Sequence, residues 1–221
     1  MKKQARSSTL RSLYRRVDRC PLCRAANNDL QHIHGFGAMR PDLMLVFVNP
    51  THRNTSADPS YRGPRFPFIG VRQLWRVLAD AGLIDRKKAA ALPPRKEWTA
   101  ADTATIQQEL VKHKLFITNV VKCCYDHSAY PERDAVRHHL DLLGEEIRIV
   151  RPKTIVAFSG FVYQTLTGQS VKMGEYWKDG QKALPEIISG LRIPTLPCYF
   201  PVGRGSPRKA ASILRRIERK K

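Results

Sequence analysis

The segment DLMLVFVNP, residues 42–50, contains an apolar run that stops abruptly at a polar residue. The run is much shorter than the roughly 18 residues that a membrane span requires. A nearly continuous apolar stretch of this length is typical of a strand that is buried on both faces. We therefore predict a buried strand over 42–49, with Asn49 at its carboxyl end.

Three later segments repeat this pattern, which indicates four strands in all. The additional strands are predicted at 114–121 (KLFITNVV), 153–160 (KTIVAFSG) and 192–200 (RIPTLPCYF). Between the strands, apolar residues recur at helical spacing. Helices are predicted at 71–81, from Thr99, at 131–150, at 161–167 and from Pro207, and residues 168–191 are expected to form a variable excursion.

Strands that alternate with helices and are apolar along their length form parallel sheets with helices on both faces. The predicted fold class is therefore α/β, a three-layer α/β/α sandwich with a central, mostly parallel four-stranded sheet. Ligands of such folds bind beyond the carboxyl ends of the strands. This rule directs attention to Asn49, to Asn119 and to the segment after Tyr199.

The charge of the chain indicates a polyanionic partner. Lys and Arg number 39 against 19 Asp and Glu, a formal net charge of +20. Such a surface repels itself unless a polyanion is near, and nucleic acid fits better than a membrane because no amphipathic basic helix with a wide apolar face is evident. The alternative is a basic protein of a large assembly of ribosomal size, or one whose charge serves only its solubility.

The length of 221 residues suits one domain, 1–221, with a basic N-terminal arm (1–19) and a basic C-terminal helix. The segment MKKQARSSTLRSLYRR lacks the apolar region of a secretory signal, so we expect a cytoplasmic protein. We also expect a monomer that does not bind membranes. Cysteines in the cytoplasm are reduced or bound to metal.

Cys20 and Cys23 form a pair with two residues between them, a spacing typical of metal or redox sites. The other cysteines are Cys123, Cys124 and Cys198. Cys198 lies in a predicted strand, where we expect a small buried apolar residue.

The order of several motifs resembles the uracil-DNA glycosylase superfamily, from about Cys20 to the last helix. VNPT at 48–51 and RFPFIGVRQLWRVLADAGL at 65–83 are similar to the mismatch-specific thymine/uracil branch. CPLC, ITNVVKC at 117–123 and RPKTIVAFSG at 151–160 are similar to the iron-sulfur family 4 branch. The resemblance implies a DNA glycosylase of base excision repair, which flips a deaminated base such as uracil out of DNA and hydrolyses its N-glycosidic bond.

Cutting that bond requires a held water, stabilisation of a positively charged sugar and donors to the departing base. The resemblance implies that Asn49 positions the water, although an asparagine before Pro50 can instead start a local turn. Pro50 and His52 adjoin Asn49 and are candidate substrate contacts. Phe47 and Thr51 replace the two glycines of the branch motif Gly-Ile-Asn-Pro-Gly.

The resemblance also implies that Phe68 stacks on the flipped base and that Asn119 reads its Watson–Crick edge. A core phenylalanine and a loop-bracing asparagine are the structural alternatives. In the family 4 branch the last strand ends in His-Pro-Ser, whereas this chain has Phe200, Pro201 and Val202. Because phenylalanine cannot donate a hydrogen bond, we expect weak activity on uracil or a different base. Arg204 is a candidate wedge or phosphate clamp.

For the metal, the resemblance implies two more ligands, Cys123 and the residue sixteen positions later, which is His139. Three cysteines and a histidine can hold a structural [4Fe-4S] cluster, the favoured cofactor, or a zinc ion. Cys124 is the other candidate fourth ligand. The rival function is a catalytically silent DNA-binding protein with the same fold and metal, and a metal-dependent regulator is a third possibility.

Overall fold

Four parallel strands form the centre of one sheet, and two antiparallel strands flank them. A computed structural model of the chain describes residues 9–21, 26, 29–126, 129–178, 184–188 and 191–219. The strands are β1 (Phe36–Gly37), β2 (Leu43–Phe47), β3 (Leu115–Asn119), β4 (Thr154–Phe158), β5 (Leu184–Ile188) and β6 (Leu191–Cys198), in the order β1-β3-β2-β4-β6-β5. The parallel pairs are β3 with β2, β2 with β4, and β4 with β6.

The α/β class and the mostly parallel sheet are confirmed, but the predicted number of four strands was too small. β1 pairs antiparallel with β3, and β5 pairs antiparallel with β6. β1 is only two residues long and has no apolar run to reveal it. The excursion predicted at 168–191 contains β5 and a short helix, so part of it belongs to the sheet.

Helices cover both faces of this sheet. They are α1 (Leu10–Val17), α2 (Arg72–Asp80), α3 (Arg86–Ala91), α4 (Ala100–Lys112), α5 (Arg133–Val150), α6 (Gly160–Thr167), α7 (Met173–Lys178) and α8 (Pro207–Glu218). The predicted start at Thr99 is close, since Thr99 is the N-cap of α4 and forms a capping box with Asp102. α5 begins two residues later than predicted.

Alternation along β2 assigns its side chains to two separate cores. Leu43, Leu45 and Phe47 belong to a core with α2, α3, α4 and α8. Met44 and Val46 belong to the core on the opposite face, with α5 and α6. Leu43, Leu45 and Phe47 therefore pack against α2. As a result, α2 and the loop before it lie next to the carboxyl end of β2.

The predicted basic arm contains helix α1, which packs on α5. Leu13 and Val17 of α1 are buried against Leu142. The first eight residues of the arm lie outside the described residues. Among the helices that the structure describes, none combines the length and the apolar character needed to cross a membrane.

Candidate active site and metal centre

Asn49 and Asn119 lie at the carboxyl ends of neighbouring parallel strands. Phe47 pairs in register with Asn119, the last residue of β3. The two chains stay together past this pair, because Val120 N donates to Phe47 O at 2.7 Å and Val121 N donates to Val48 O at 2.9 Å. Two of the predicted site residues are thus brought to one edge of the sheet.

The Asn49 side chain is partly exposed at this edge. Its Nδ2 donates to Pro50 O at 3.1 Å, and the same carbonyl accepts from Tyr125 N at 3.1 Å. A local contact to the backbone is therefore present, but it differs from the Asx-type turn, in which the side-chain oxygen accepts from the N–H two residues on. It uses the amide nitrogen, whereas holding a water as an acceptor uses the oxygen Oδ1.

Phe68 lies on the loop before α2 in an unusual backbone conformation. Its φ is +67°, a left-handed value that is a genuine outlier for a bulky side chain. The carbonyl of Phe68 accepts from Trp75 Nε1 at 3.1 Å and from Val71 N at 3.0 Å. Helix α2 therefore holds the strained residue in place, as is common at functional sites.

Four phenyl rings meet where β2 ends. Phe47 stacks on Phe158 with a centroid separation of 4.3 Å, and its ring meets Phe68 edge-on at 4.6 Å. Phe200 lies 6.3 Å from the Phe47 ring. The cluster brings together Phe68 and Phe200, which were predicted site residues, with Phe47, which was noted only for replacing a glycine.

Asn119 is buried, with 1% of its surface exposed, and its Nδ2 finds no hydrogen-bond partner among the described residues. A buried donor without a partner costs about 1–3 kcal/mol. Such a cost is expected where a ligand supplies the missing acceptor. This unpaired amide is the strongest sign of a ligand site in this region.

A buried ion pair lies directly behind Asn119. Lys122 is 1% exposed, and its Nζ donates to Asn119 O at 2.6 Å and to Glu146 Oε2 at 2.8 Å. Thr118 Oγ1 donates to the same carboxylate at 2.8 Å, and Tyr14 OH donates to Oε1 at 2.6 Å. Burial lowers the pKa of Lys122, and the Glu146 carboxylate opposes that shift. The sequence did not predict this network. Its one indication is Lys122, a charged residue within a largely apolar segment.

The other predicted substrate contacts lie on two loops, the one after β6 and the one after Asn49. The loop after β6 closes tightly, because Ser206 N donates to Phe200 O at 2.8 Å and a Cβ at Gly205 would meet that oxygen at 1.9 Å. Arg204 on this loop is exposed. His52 lies on the loop after Asn49, and its carbonyl accepts from Arg95 at 2.6 Å.

Three of the predicted metal ligands converge. His139 Nε2 lies 3.4 Å from Cys20 Sγ and 3.3 Å from Cys123 Sγ, and the three ligand atoms all lie within 4.8 Å of one another. The other ring nitrogen, Nδ1, faces the backbone N–H of Lys122 at 3.4 Å. Nδ1 accepts in this contact, whereas the second ring nitrogen of a metal-ligating histidine usually donates, so the contact itself does not support a metal. This group can bind a metal ion.

The other two candidate ligands have different outcomes. Cys23 lies outside the described residues. Cys124 does not join the group, because its thiol donates to Gln31 O at 3.2 Å and packs with Ile33. Burial raises the pKa of the Cys124 thiol to about 12, which disfavours a thiolate. Cys198 is buried in β6, as predicted.

Comparison with known proteins identifies the family to which the chain belongs. No curated protein matches the chain significantly. The model of the family described as "Uracil DNA glycosylase superfamily" matches residues 34–213. The match covers most of the chain, including the strands of the parallel sheet, Asn49, Phe68 and Asn119, and the chain therefore belongs to the uracil DNA glycosylase superfamily.

Proposed function

We propose that the protein is a monofunctional DNA glycosylase that removes a deaminated base from DNA in base excision repair. The observation that carries this proposal is the buried Asn119 side chain, whose Nδ2 has no hydrogen-bond partner in the described part of the chain, at the strand edge that also bears Asn49. A flipped base can supply the acceptor that Nδ2 lacks. We further propose that the protein acts on DNA as a monomer in the cytoplasm, and the net charge of +20 supports DNA as its partner.

In this proposal the reaction is a hydrolysis without a covalent intermediate. Asn49 Oδ1 orients a water toward C1′, the bond between C1′ and the base nitrogen breaks, and the base leaves with the electron pair. The water oxygen bonds to C1′ and its proton is released. Phe68 stacks on the base and Asn119 pairs with its edge, while Pro50, His52, Phe200 and Arg204 contact the nucleotide or its phosphates.

The test is base release by the wild-type protein. Single-stranded and duplex oligonucleotides carrying uracil, hypoxanthine or xanthine are incubated with the protein and treated with alkali, which cleaves at abasic sites. We expect cleavage after alkali and none before it, because no step forms a Schiff base. An undamaged oligonucleotide is the control. Absence of release from the whole panel at micromolar protein would refute the proposal.

A specific observation favours the rival function, a silent DNA-binding protein. Phe200 stands where a donor to the departing base is expected, and its phenyl ring lies in the cluster of Phe47 and Phe68. Loss of one donor in a dry site reduces the rate by about 10²–10³-fold. The silent binder is then expected to bind the same oligonucleotides without releasing a base.

For the metal centre, we propose one zinc ion held by Cys20, Cys23, Cys123 and His139. A tetrahedral zinc ion with Zn–S of about 2.3 Å and Zn–N of about 2.0–2.1 Å holds sulfur and nitrogen roughly 3.5 Å apart. The separations of 3.3 and 3.4 Å match this spacing. In a [4Fe-4S] cluster each ligand binds a different iron and the ligands lie farther apart, so the geometry favours the zinc alternative. The ion would link the segment after α1, through Cys20, to helix α5, through His139.

Removal of this metal is expected to destabilise the protein. Loss of several kcal/mol of folding energy lowers the Tm of a chain of this size by about 10 °C or more. Metal analysis of the purified protein should find about one zinc per chain, and a strong chelator should lower the Tm. Cys124→Ser is the matched control, since Cys124 lies outside the group and its loss should leave the metal content unchanged. Iron with sulfide and a brown colour would instead establish the cluster.

A further inference from the structure

We infer that Phe47 occupies the space in which the flipped base must sit, and that it acts as a gate and specificity-determining residue of the base pocket. The inference rests on the proposed function, because it concerns the space between Phe68 and Asn119. It adds a residue that limits which base enters. The inferred substrate class is a base of one six-membered ring, a pyrimidine.

The register of the strands places Phe47 beside Asn119. The two residues are direct partners in the parallel pairing of β2 and β3, and neighbouring strands lie about 4.7–4.9 Å apart. Side chains at paired positions project from the same face of a sheet. A base whose edge pairs with the Asn119 amide must therefore lie over the position that the Phe47 side chain holds.

The contacts of the Phe47 ring show that this position is filled. One face of the ring stacks on Phe158 with the planes only 5° apart. Phe68 meets the same ring at 62° and 4.6 Å, and Phe47 is 1% exposed. A base stacked on Phe68 and paired with Asn119 would compete with Phe47 for the space between them.

The Nδ2 of Asn119, which has no partner within the described ranges, indicates that the filled pocket is still suited to a ligand. A phenyl ring cannot accept the hydrogen bond that Nδ2 offers, so Phe47 fills the space without satisfying the donor. A base that displaced the ring would restore packing and add the missing hydrogen bond. Uracil has one six-membered ring, as phenyl has, whereas hypoxanthine and xanthine are bicyclic and exceed the space that one ring vacates.

The experiment is to remove the ring with Phe47→Ala. We expect this variant to release uracil from a single-stranded oligonucleotide at least about tenfold faster than the wild type, since even one methylene more or less in an apolar pocket changes discrimination by about 10–200-fold. The gain for hypoxanthine and xanthine should be smaller. Phe47→Leu, which opens less space, should show the same trend to a lesser extent and covers the case in which the alanine variant does not fold.

The matched control is Phe116→Ala. Phe116 is on β3, is also 1% exposed and belongs to the core on the opposite face of the sheet. Its loss leaves a cavity of similar size away from the proposed pocket, so no gain in uracil release is expected. Equal gains in both variants would mean that loosening of the fold, and not the opening of a gate, raises the rate.

A binding measurement separates this inference from the proposed function. Free uracil at millimolar concentration should raise the Tm of Phe47→Ala but not that of the wild type or Phe116→Ala. If no variant releases a base but Phe47→Ala binds uracil, the glycosylase proposal fails and the gate stands. If Phe47→Ala gains neither release nor uracil binding, the gate is refuted, whether or not the wild type is active.

Discussion

Replacement of Asn49 with alanine is expected to reduce base release by about 10²–10³-fold, the usual loss for one polar group that acts in the transition state. Alanine removes Oδ1, the oxygen proposed to hold the attacking water. Among the residues that the structure describes, the side chain hydrogen-bonds only to the adjacent Pro50 carbonyl, so the fold should tolerate the change. Single-turnover rates on the best oligonucleotide of the panel measure the effect, and the affinity for DNA should stay nearly unchanged.

Two variants serve as controls for this result. Asn49→Asp retains an acceptor oxygen and should preserve most of the activity, which a purely structural asparagine would not predict. Asn54→Ala removes an asparagine of the same loop whose Nδ2 donates to Phe66 O at 2.8 Å and whose Oδ1 caps a 3-10 turn. It should cost about 0.5–2 kcal/mol of stability and less activity than Asn49→Ala. An Asn49→Ala protein with a rate within tenfold of the wild type would refute the role of the side chain.

Lys122→Met is expected to lower the free energy of unfolding by about 3–5 kcal/mol, because it leaves the Glu146 carboxylate buried without its counter-charge. Glu146 is 0% exposed and loses the 2.8 Å bond from Lys122 Nζ. The Tyr14 and Thr118 hydroxyls remain as donors to the carboxylate but carry no charge. Urea unfolding measures the loss, and the slope of the transition shows whether the folded state remains compact.

The double variant Lys122→Met/Glu146→Gln is expected to be less destabilised than the sum of the single variants, since it removes the isolated charge. Lys172→Met is the matched control, because Lys172 pairs with Glu175 at 3.2 Å on the surface, where both side chains are largely exposed. Exposed pairs contribute little, so its stability should hardly change. If Lys122→Met and Lys172→Met lowered the free energy of unfolding equally, burial of the Lys122–Glu146 pair would not be the cause of the loss.

Lys122 also links stability to the proposed site. Its Nζ donates to the carbonyl of Asn119, and its backbone N–H faces His139. Loss of the side chain should therefore weaken uracil binding by Phe47→Ala, since Asn119 would lose a group that holds its backbone. The sequence had offered only a lysine next to Cys123, and neither Glu146 nor Tyr14 stands near it in the chain.

Local patterns in the chain were enough to predict the parallel strands and the main helices. An apolar run such as 43–48 is buried wherever the chain places it, and the helical spacing around Leu74 and Leu78 depends only on neighbouring residues. The position of Asn49 at the carboxyl edge of the sheet followed from the parallel strands that the apolar runs predict. The convergence of Cys123 and His139 was predicted only through the resemblance of the motifs.

Tertiary packing alone decided the features that determine what the site can hold. β1 and β5 are short or irregular segments that become strands only because a neighbour offers unpaired backbone groups at the sheet edge. The Phe47 ring meets Phe68 and Phe158, and Lys122 meets Glu146, through contacts between residues far apart in the chain. A sequence pattern records which side chains prefer burial, but the partner of each buried side chain depends on how three layers pack together.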